Sequence, residues 1–126
     1  MKRVWIVDDD AEMSEAIALM LKLLDCETRS FPDARLAAKA LLSGECPDLM
    51  ILDINMPDVT GIDLLKFLRS RLEWKNLPVV MLSTEASDVQ IDQALGIGAD
   101  AYATKPATIE ELDAAMNRAL QARWKR

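Results

Sequence analysis

The chain has 126 residues, 51% apolar and 29% charged, a globular mix at the size of one ordinary domain, with room for a real core. Acids outnumber bases 21 to 15 for a net charge of −6, which argues against nucleic acid or an anionic membrane as the main partner. Histidine is absent, which excludes Ser-His-Asp and Cys-His catalysis and any His-ligated metal site.

Apolar runs and helical patterns alternate five times. Val4-Trp5-Ile6-Val7 opens the chain as a short continuous apolar strand, and a helix follows in which Ile17, Met20, Leu21 and Leu24 recur as one stripe. The second strand, Cys26-Glu27-Thr28-Arg29-Ser30, is polar enough for a sheet edge, and a helix over about residues 33–43 follows it. Leu49-Met50-Ile51-Leu52 and Val79-Val80-Met81-Leu82 read as central strands covered on both faces. A helix over about residues 62–72 lies between them, and Trp74 falls in the loop before the fourth strand. The fourth helix, Ser87 to Ile97, has a cap-like Ser87 and Gln90 and a thin stripe of Ile91, Ala94 and Leu95, so it is expected to be the most loosely docked. Ala101-Tyr102-Ala103-Thr104 is the second edge candidate. The last helix opens on a capping box, Thr108 to Glu111, and continues apolar at Leu112, Met116 and Leu120.

Strict alternation implies an α/β layer fold with right-handed crossovers. With strands two and five outside, the commonest doubly wound order is 2-1-3-4-5, a five-stranded parallel sheet of flavodoxin-like (βα)5 type. Ligands bind such sheets where the chain direction reverses, here between the ends of strands one and three. No linker or repeat divides the chain, so residues 1–126 read as one domain. No apolar run approaches the ~18 residues of a membrane span. Met1-Lys2-Arg3 leads straight into a strand rather than a signal peptide. Cys26 and Cys46 lack metal spacing, and a reduced cytoplasm suits them.

The first strand ends in Asp8-Asp9-Asp10 and the third in Asp53. In the expected order these carboxylates converge, and two of them ~4 Å apart repel by roughly 4 kcal/mol at an effective dielectric near 20. A cation, a shared proton or outward-turned side chains would relieve this. Oxygen ligands without His favour Mg²⁺ over zinc. The plainer reading is that the acids cap the first helix, but it leaves Asp53 and Lys105 at strand ends unexplained. Ser83 and Thr84 close the fourth strand, and Lys105 follows the fifth before Pro106 stops it. A carboxylate, a hydroxyl, an ammonium and a divalent cation at one sheet edge suit a phosphoryl group, with Asp53 as a candidate nucleophile.

On these residues the chain resembles a response-regulator receiver domain of bacterial two-component systems over nearly its whole length, chemotaxis-type receivers most of all. Val7-Asp8-Asp9-Asp10 resembles the family's acidic pair, and Leu52-Asp53-Ile54-Asn55-Met56-Pro57 with Gly61 its phosphoacceptor segment. Pro78 through Ser83 resembles the strand ending in a hydroxyl, and Gly98-Ala99-Asp100-Ala101-Tyr102 through Lys105-Pro106 the fifth-strand motif. The resemblance implies that Asp53 accepts a phosphoryl group from a sensor histidine kinase or phosphotransfer protein. It implies that Asp8, Asp9, Asp53 and the Asn55 backbone carbonyl hold Mg²⁺, and that Lys105 pairs with the phosphoryl oxygens. Ser83 and Tyr102 would act as the switch, and the face of helix four, strand five and helix five would meet a downstream target. Asn55 and Glu85 match the pair that tunes self-dephosphorylation in chemotaxis-type receivers. Beyond that activity the resemblance implies no enzyme, with the chain a monomer and dimerisation on phosphorylation left open.

Two positions depart from the family. Thr84 stands where a small residue is usual; counting from Pro78 favours Ser83 for the phosphoryl contact, with Thr84 as the alternative. Ala107 replaces the usual aromatic after Lys-Pro, so a less firmly packed loop is expected there. Among rivals, a flavodoxin-like FMN carrier would not place three acids in its phosphate loop. A haloacid-dehalogenase-like phosphatase should carry an Asp where this chain has Asn55, and a phosphorylation-independent binding module has no need of Asp53, Ser83 and Lys105 together. The tail Arg123-Trp124-Lys125-Arg126 reads as a solvated helix end or the start of a linker.

Overall fold

The computed structural model describes residues 1–84 and 88–124, apart from the side chains of Asp88 and Trp124. In chain order it places β1 (Lys2–Val7), α1 (Ala11–Leu23), β2 (Cys26–Phe31), α2 (Ala34–Leu42) and β3 (Leu49–Asp53). Then come α3 (Gly61–Ser70), β4 (Val79–Ser83), α4 (Asp88–Ile97), β5 (Ala101–Thr104) and α5 (Ile109–Trp124). The strands are parallel in the order β2-β1-β3-β4-β5. Every residue of β3 and β4 is buried, whereas β2 and β5 carry exposed positions. That division follows from covering both faces of the sheet, which leaves β3 and β4 no solvent-facing position.

Side-chain alternation sorts the strands onto two cores. Val4, Ile6, Leu49, Ile51, Val80, Leu82, Ala101 and Ala103 pack with Ile17 and Leu21 of α1 and Leu112, Ala115 and Met116 of α5. Trp5, Val7, Met50, Leu52, Val79 and Met81 pack with Ala37 and Leu41 of α2, Leu64, Leu65 and Leu68 of α3, and Ala94 of α4. Trp74, in the loop before β4, is buried in the second core.

The same period of two, carried to the strand ends, aligns the polar residues. Asp8 continues the series of Val4 and Ile6, Asp53 that of Leu49 and Ile51, and Lys105 that of Ala101 and Ala103. All three therefore emerge on the α1/α5 side at the carboxyl edge of the sheet. Ser83 continues Val79 and Met81 toward the other side.

Helices start at this edge because the residues there cap them. Asp10 Oδ1 accepts from Met13 N, and Asp33 Oδ1 accepts from Arg35 N. Thr60 with Asp63 and Thr108 with Glu111 form reciprocal capping boxes, the second where the sequence predicts it.

Two expectations, on Leu95 and on Arg123, are corrected. Leu95 is 42% exposed and does not join Ile91 and Ala94 in the buried stripe of α4. In the loop after Lys105, where a less firmly packed segment is expected, Ala107 is buried against the α1/α5 core while Pro106 and Thr108 on either side are exposed. Arg123 is not a solvated helix end: its side chain is only 6% exposed and pairs with Asp100. The cap-like Ser87, like the tuning candidate Glu85 and the last two tail residues, lies outside the described residues.

Candidate functional site

Three carboxylates with different tasks follow β1. Asp10 turns to the helix and caps α1, as the plain reading has it. Asp9 is exposed, and Asp8 is almost fully buried at the sheet edge. Asp8 Oδ1 accepts the backbone N–H of Asp10 at 3.0 Å, which fixes the turn.

Asp53, the last residue of β3, is 3% exposed, and its Oδ1 accepts the backbone N–H of Asn55 at 3.2 Å. Two backbone bonds hold this strand end: Ile54 N–H donates to Leu82 O at 2.8 Å and Gly61 N–H to Ile54 O at 3.2 Å. Gly61 is required here. A Cβ at that position would meet the carbonyl oxygen of Asp53 itself, so α3 can begin against the strand only without a side chain.

Lys105 reaches back over the edge from the end of β5, where its own N–H donates to Ser83 O at 2.7 Å. Its ammonium lies 2.7 Å from Asp8 Oδ2 and 3.2 Å from Asp53 Oδ2, with the side chain 6% exposed. Asp8 Oδ2 accepts no aligned hydrogen bond, so its contact with the ammonium is one of charge more than of direction. At such separations in a partly buried site each attraction is on the order of 5 kcal/mol before desolvation is charged against it.

The titration of the site follows from this crowding. Burial, then the neighbouring Asp8 charge, pushes the Asp53 carboxyl up to about 6, against the opposing pull of the Lys105 ammonium. For Lys105, burial acts to lower the ammonium's pKa, but the Asp8 and Asp53 carboxylates outweigh it and the pKa is raised.

Asp8, Asp9 and Asp53 each offer a carboxylate oxygen, and these atoms lie within 4.8 Å of one another. Three carboxylates against one ammonium leave two negative charges, which one divalent cation would neutralise. An all-oxygen set of two buried ligands and one exposed ligand fits a hard cation that keeps part of its water shell. The residues present fit such an ion.

Ser83 is fully buried at the end of β4 while Thr84 is exposed, so the two hydroxyls differ in environment. Tyr102, in the middle of β5, is 41% exposed. Asn55 is exposed at the rim, where its Oδ1 accepts from Gln90 Nε2 of α4 at 3.3 Å. Glu85 is outside the described residues.

At the opposite edge of the sheet lies a constellation the sequence reading missed. Asp100, its side chain 1% exposed, accepts from Arg69 Nη2 at 3.0 Å, from Val79 N–H at 2.9 Å and from Arg123 Nε at 2.6 Å. Both guanidiniums also donate to the Gly98 carbonyl, Arg69 Nε at 2.9 Å and Arg123 Nη2 at 3.0 Å. The three side chains come from 69, 100 and 123, and no spacing or motif links them.

Comparison with known proteins agrees with this geometry. Residues 4–117 match the family model described as the response regulator receiver domain. The chain is 36% identical over 110 residues to the chemotaxis protein CheY-3 of Vibrio cholerae, covering 87% of this chain and 85% of that protein. It is 32% identical over 120 residues to the phosphate regulon transcriptional regulatory protein PhoB of Pseudomonas aeruginosa, covering 95% of this chain but only 52% of PhoB. Against Protein RcaC of Microchaete diplosiphon the identity is 33%, over just 18% of that protein's length. Among solved structures, CheY4 of Vibrio cholerae superposes with a TM-score of 0.84 at 31% identity, covering 95% of this chain and 99% of the other. The signal receiver domain of a signal transduction histidine kinase from Syntrophus aciditrophicus gives 0.84 at 27% identity, covering 97% and 92%. The chain spans nearly the full length of some relatives and a minor part of others, and with that match over most of its residues it belongs to the response regulator receiver domain family.

Proposed function

We propose that Asp53 is a phosphoacceptor: its carboxylate takes a phosphoryl group from a phosphohistidine on a sensor kinase or phosphotransfer protein. A carboxylate oxygen forms the new O–P bond as the P–N bond to the donor imidazole breaks, and that imidazole leaves with the bonding pair. The observation that carries this reading is the Lys105 ammonium held between Asp8 and Asp53 at the switch point of the sheet.

Each residue has a role that its position supports. With a carboxyl titrating at about 6, Asp53 is largely ionised at neutral pH and therefore nucleophilic. Asp8, Asp9, Asp53 and the backbone carbonyl of Asn55 would hold Mg²⁺, which when bound offsets charge on the transferring phosphoryl group. Lys105, already preorganised at 3.2 Å from the Asp53 carboxylate, exchanges part of that contact for a phosphoryl oxygen. Ser83, buried at the end of the adjacent strand, supplies the hydroxyl for a second oxygen, and exposed Thr84 does not. Tyr102 then moves inward, and the face of α4, β5 and α5 changes for a downstream target. Asn55 and Glu85 set the lifetime of the acyl phosphate. Residues 1–126 act as one receiver unit in the cytoplasm, monomeric before phosphorylation and with no direct role in binding nucleic acid.

The test is incubation with acetyl phosphate and Mg²⁺, followed by phosphate-affinity electrophoresis and hydroxylamine cleavage. A hydroxylamine-labile phosphoprotein that requires Mg²⁺ and is lost in Asp53→Ala supports the reading. Absence of any acyl phosphate, or its persistence in Asp53→Ala, overturns it. A beryllofluoride adduct that shifts the amide resonances of residues 102–105 would extend the result to the proposed switch.

A further inference from the structure

The first turn of α4 meets the loop after Asp53 in a pair of side chains, Gln90 and Asn55. Gln90 Nε2 donates to Asn55 Oδ1 at 3.3 Å across 35 residues of sequence. Asn55 is itself bound to Asp53, because its backbone N–H donates to Asp53 Oδ1. A chain of hydrogen bonds therefore runs from the Asp53 carboxylate through both ends of Asn55 to α4.

The two ends of α4 are held very differently. Its C-terminal end is fixed where Gly98, with φ +128°, accepts two buried guanidiniums at its carbonyl. Toward the other end Ile91 and Ala94 are buried, but Val89 is 77% exposed. At that end, the side-chain bond to Asn55 weighs more in the helix's pose than it would in a deeply packed element.

The consequence is chemical. Hydrolysis of an acyl phosphate needs a water in line with the O–P bond, and that water is oriented by groups accepting its protons. In a carboxamide the oxygen accepts and the nitrogen donates. Gln90 takes one of the two lone pairs of Asn55 Oδ1 and holds that oxygen toward α4. We propose that Gln90 is a positioning residue that withholds Asn55 Oδ1 from the hydrolytic water and thereby prolongs the Asp53 acyl phosphate. This role presupposes the phosphorylation of Asp53 proposed above. By linkage, whatever draws the first turn of α4 away from Asn55 shortens the phosphorylated lifetime, and a partner that seats α4 against it lengthens that lifetime.

The experiment loads the full chain with acetyl phosphate and Mg²⁺, removes the donor and follows decay of the acyl phosphate by phosphate-affinity electrophoresis. Gln90→Met keeps length and helix preference but loses the donor, and Gln90→Ala removes the side chain. Both are expected to shorten the lifetime by about three- to tenfold, the scale of one exposed hydrogen bond, while the loading rate stays unchanged. In an Asn55→Ala background the same substitutions should have no further effect. Equal lifetimes for wild type and both Gln90 variants, a lengthened lifetime, or an equal shift with and without Asn55 would overturn the role of Gln90. Failure of the wild type to load at all would instead overturn the phosphoacceptor reading beneath it.

Discussion

Arg123 of α5 donates its Nε to Asp100 Oδ1 at 2.6 Å, joining the last described turn of the chain to the loop before β5. Arg69 approaches the same carboxylate from α3, so one buried acid ties together three elements distant in sequence. The arrangement is stable only while complete, because a buried carboxylate stripped of a partner keeps its desolvation penalty without the compensating charge. Arg123→Ala is expected to lower the unfolding free energy by about 3 kcal/mol, read from urea denaturation. Asp100→Ala should cost as much, and the double variant less than the sum.

Asp53 makes the protein less stable at neutral pH than it need be. Its folded pKa of about 6 lies above the ordinary carboxylate value, so the folded state binds the proton more tightly than the unfolded chain does. The resulting stability is fully present below about pH 4 and is lost as the pH rises through the folded pKa. Asp53→Asn should therefore stabilise the protein at pH 7.5 by on the order of 1–3 kcal/mol. The gain should vanish by pH 4, a dependence that paired thermal melts across that range would reveal.

Gly61 meets the end of β3 at its backbone. Gly61→Ala sets a methyl group against the Asp53 carbonyl oxygen, and neither partner is the end of a flexible side chain. A loss of more than about 2 kcal/mol is expected, together with slower phosphoryl loading because the Asp53 carboxylate shifts with its backbone. An unperturbed melt for this variant would mean that α3 can draw back from β3 without cost.

Lys105 offsets two buried acids. Lys105→Met leaves Asp8 and Asp53 facing each other without the ammonium, so the Asp53 pKa should rise further. The variant should lose more stability at pH 8 than at pH 5, where the pair can share a proton. Carbon-detected NMR titration of the Asp53 carboxyl reads the shift directly.

Divalent cation binding should stabilise the wild type, by about 1.4 kcal/mol when Mg²⁺ is ten times its dissociation constant. Asp9 is exposed and makes no ion pair among the described residues. Asp9→Ala is therefore expected to remove the Mg²⁺-dependent gain while barely changing stability in the presence of a chelator.

Much of the architecture was legible in the residues alone. Continuous apolar runs at 49–52 and 79–82 could satisfy their side chains only between two helical layers, while the polar runs at 26–30 and 101–104 could not, and the commonest order with those two outside is the one the sheet adopts. The period of two then carried Asp8, Asp53 and Lys105 to one side of one edge, as the sheet register bears out. Local chemistry was equally legible at Thr108 and Glu111, whose capping box depends on neighbours three residues apart.

What the sequence determined by itself was whatever depends on near neighbours or on strand parity: the elements, their order, and the acidic edge facing one lysine. Tertiary structure alone decided which of three consecutive aspartates is buried, which exposed and which a helix cap. It also decided that Arg69 and Arg123 close on Asp100, that Leu95 faces solvent, and that Gln90 reaches Asn55. These depend on the rotation of each helix about its axis and on distances between segments far apart in the chain, which are set when the cores pack rather than by any local pattern.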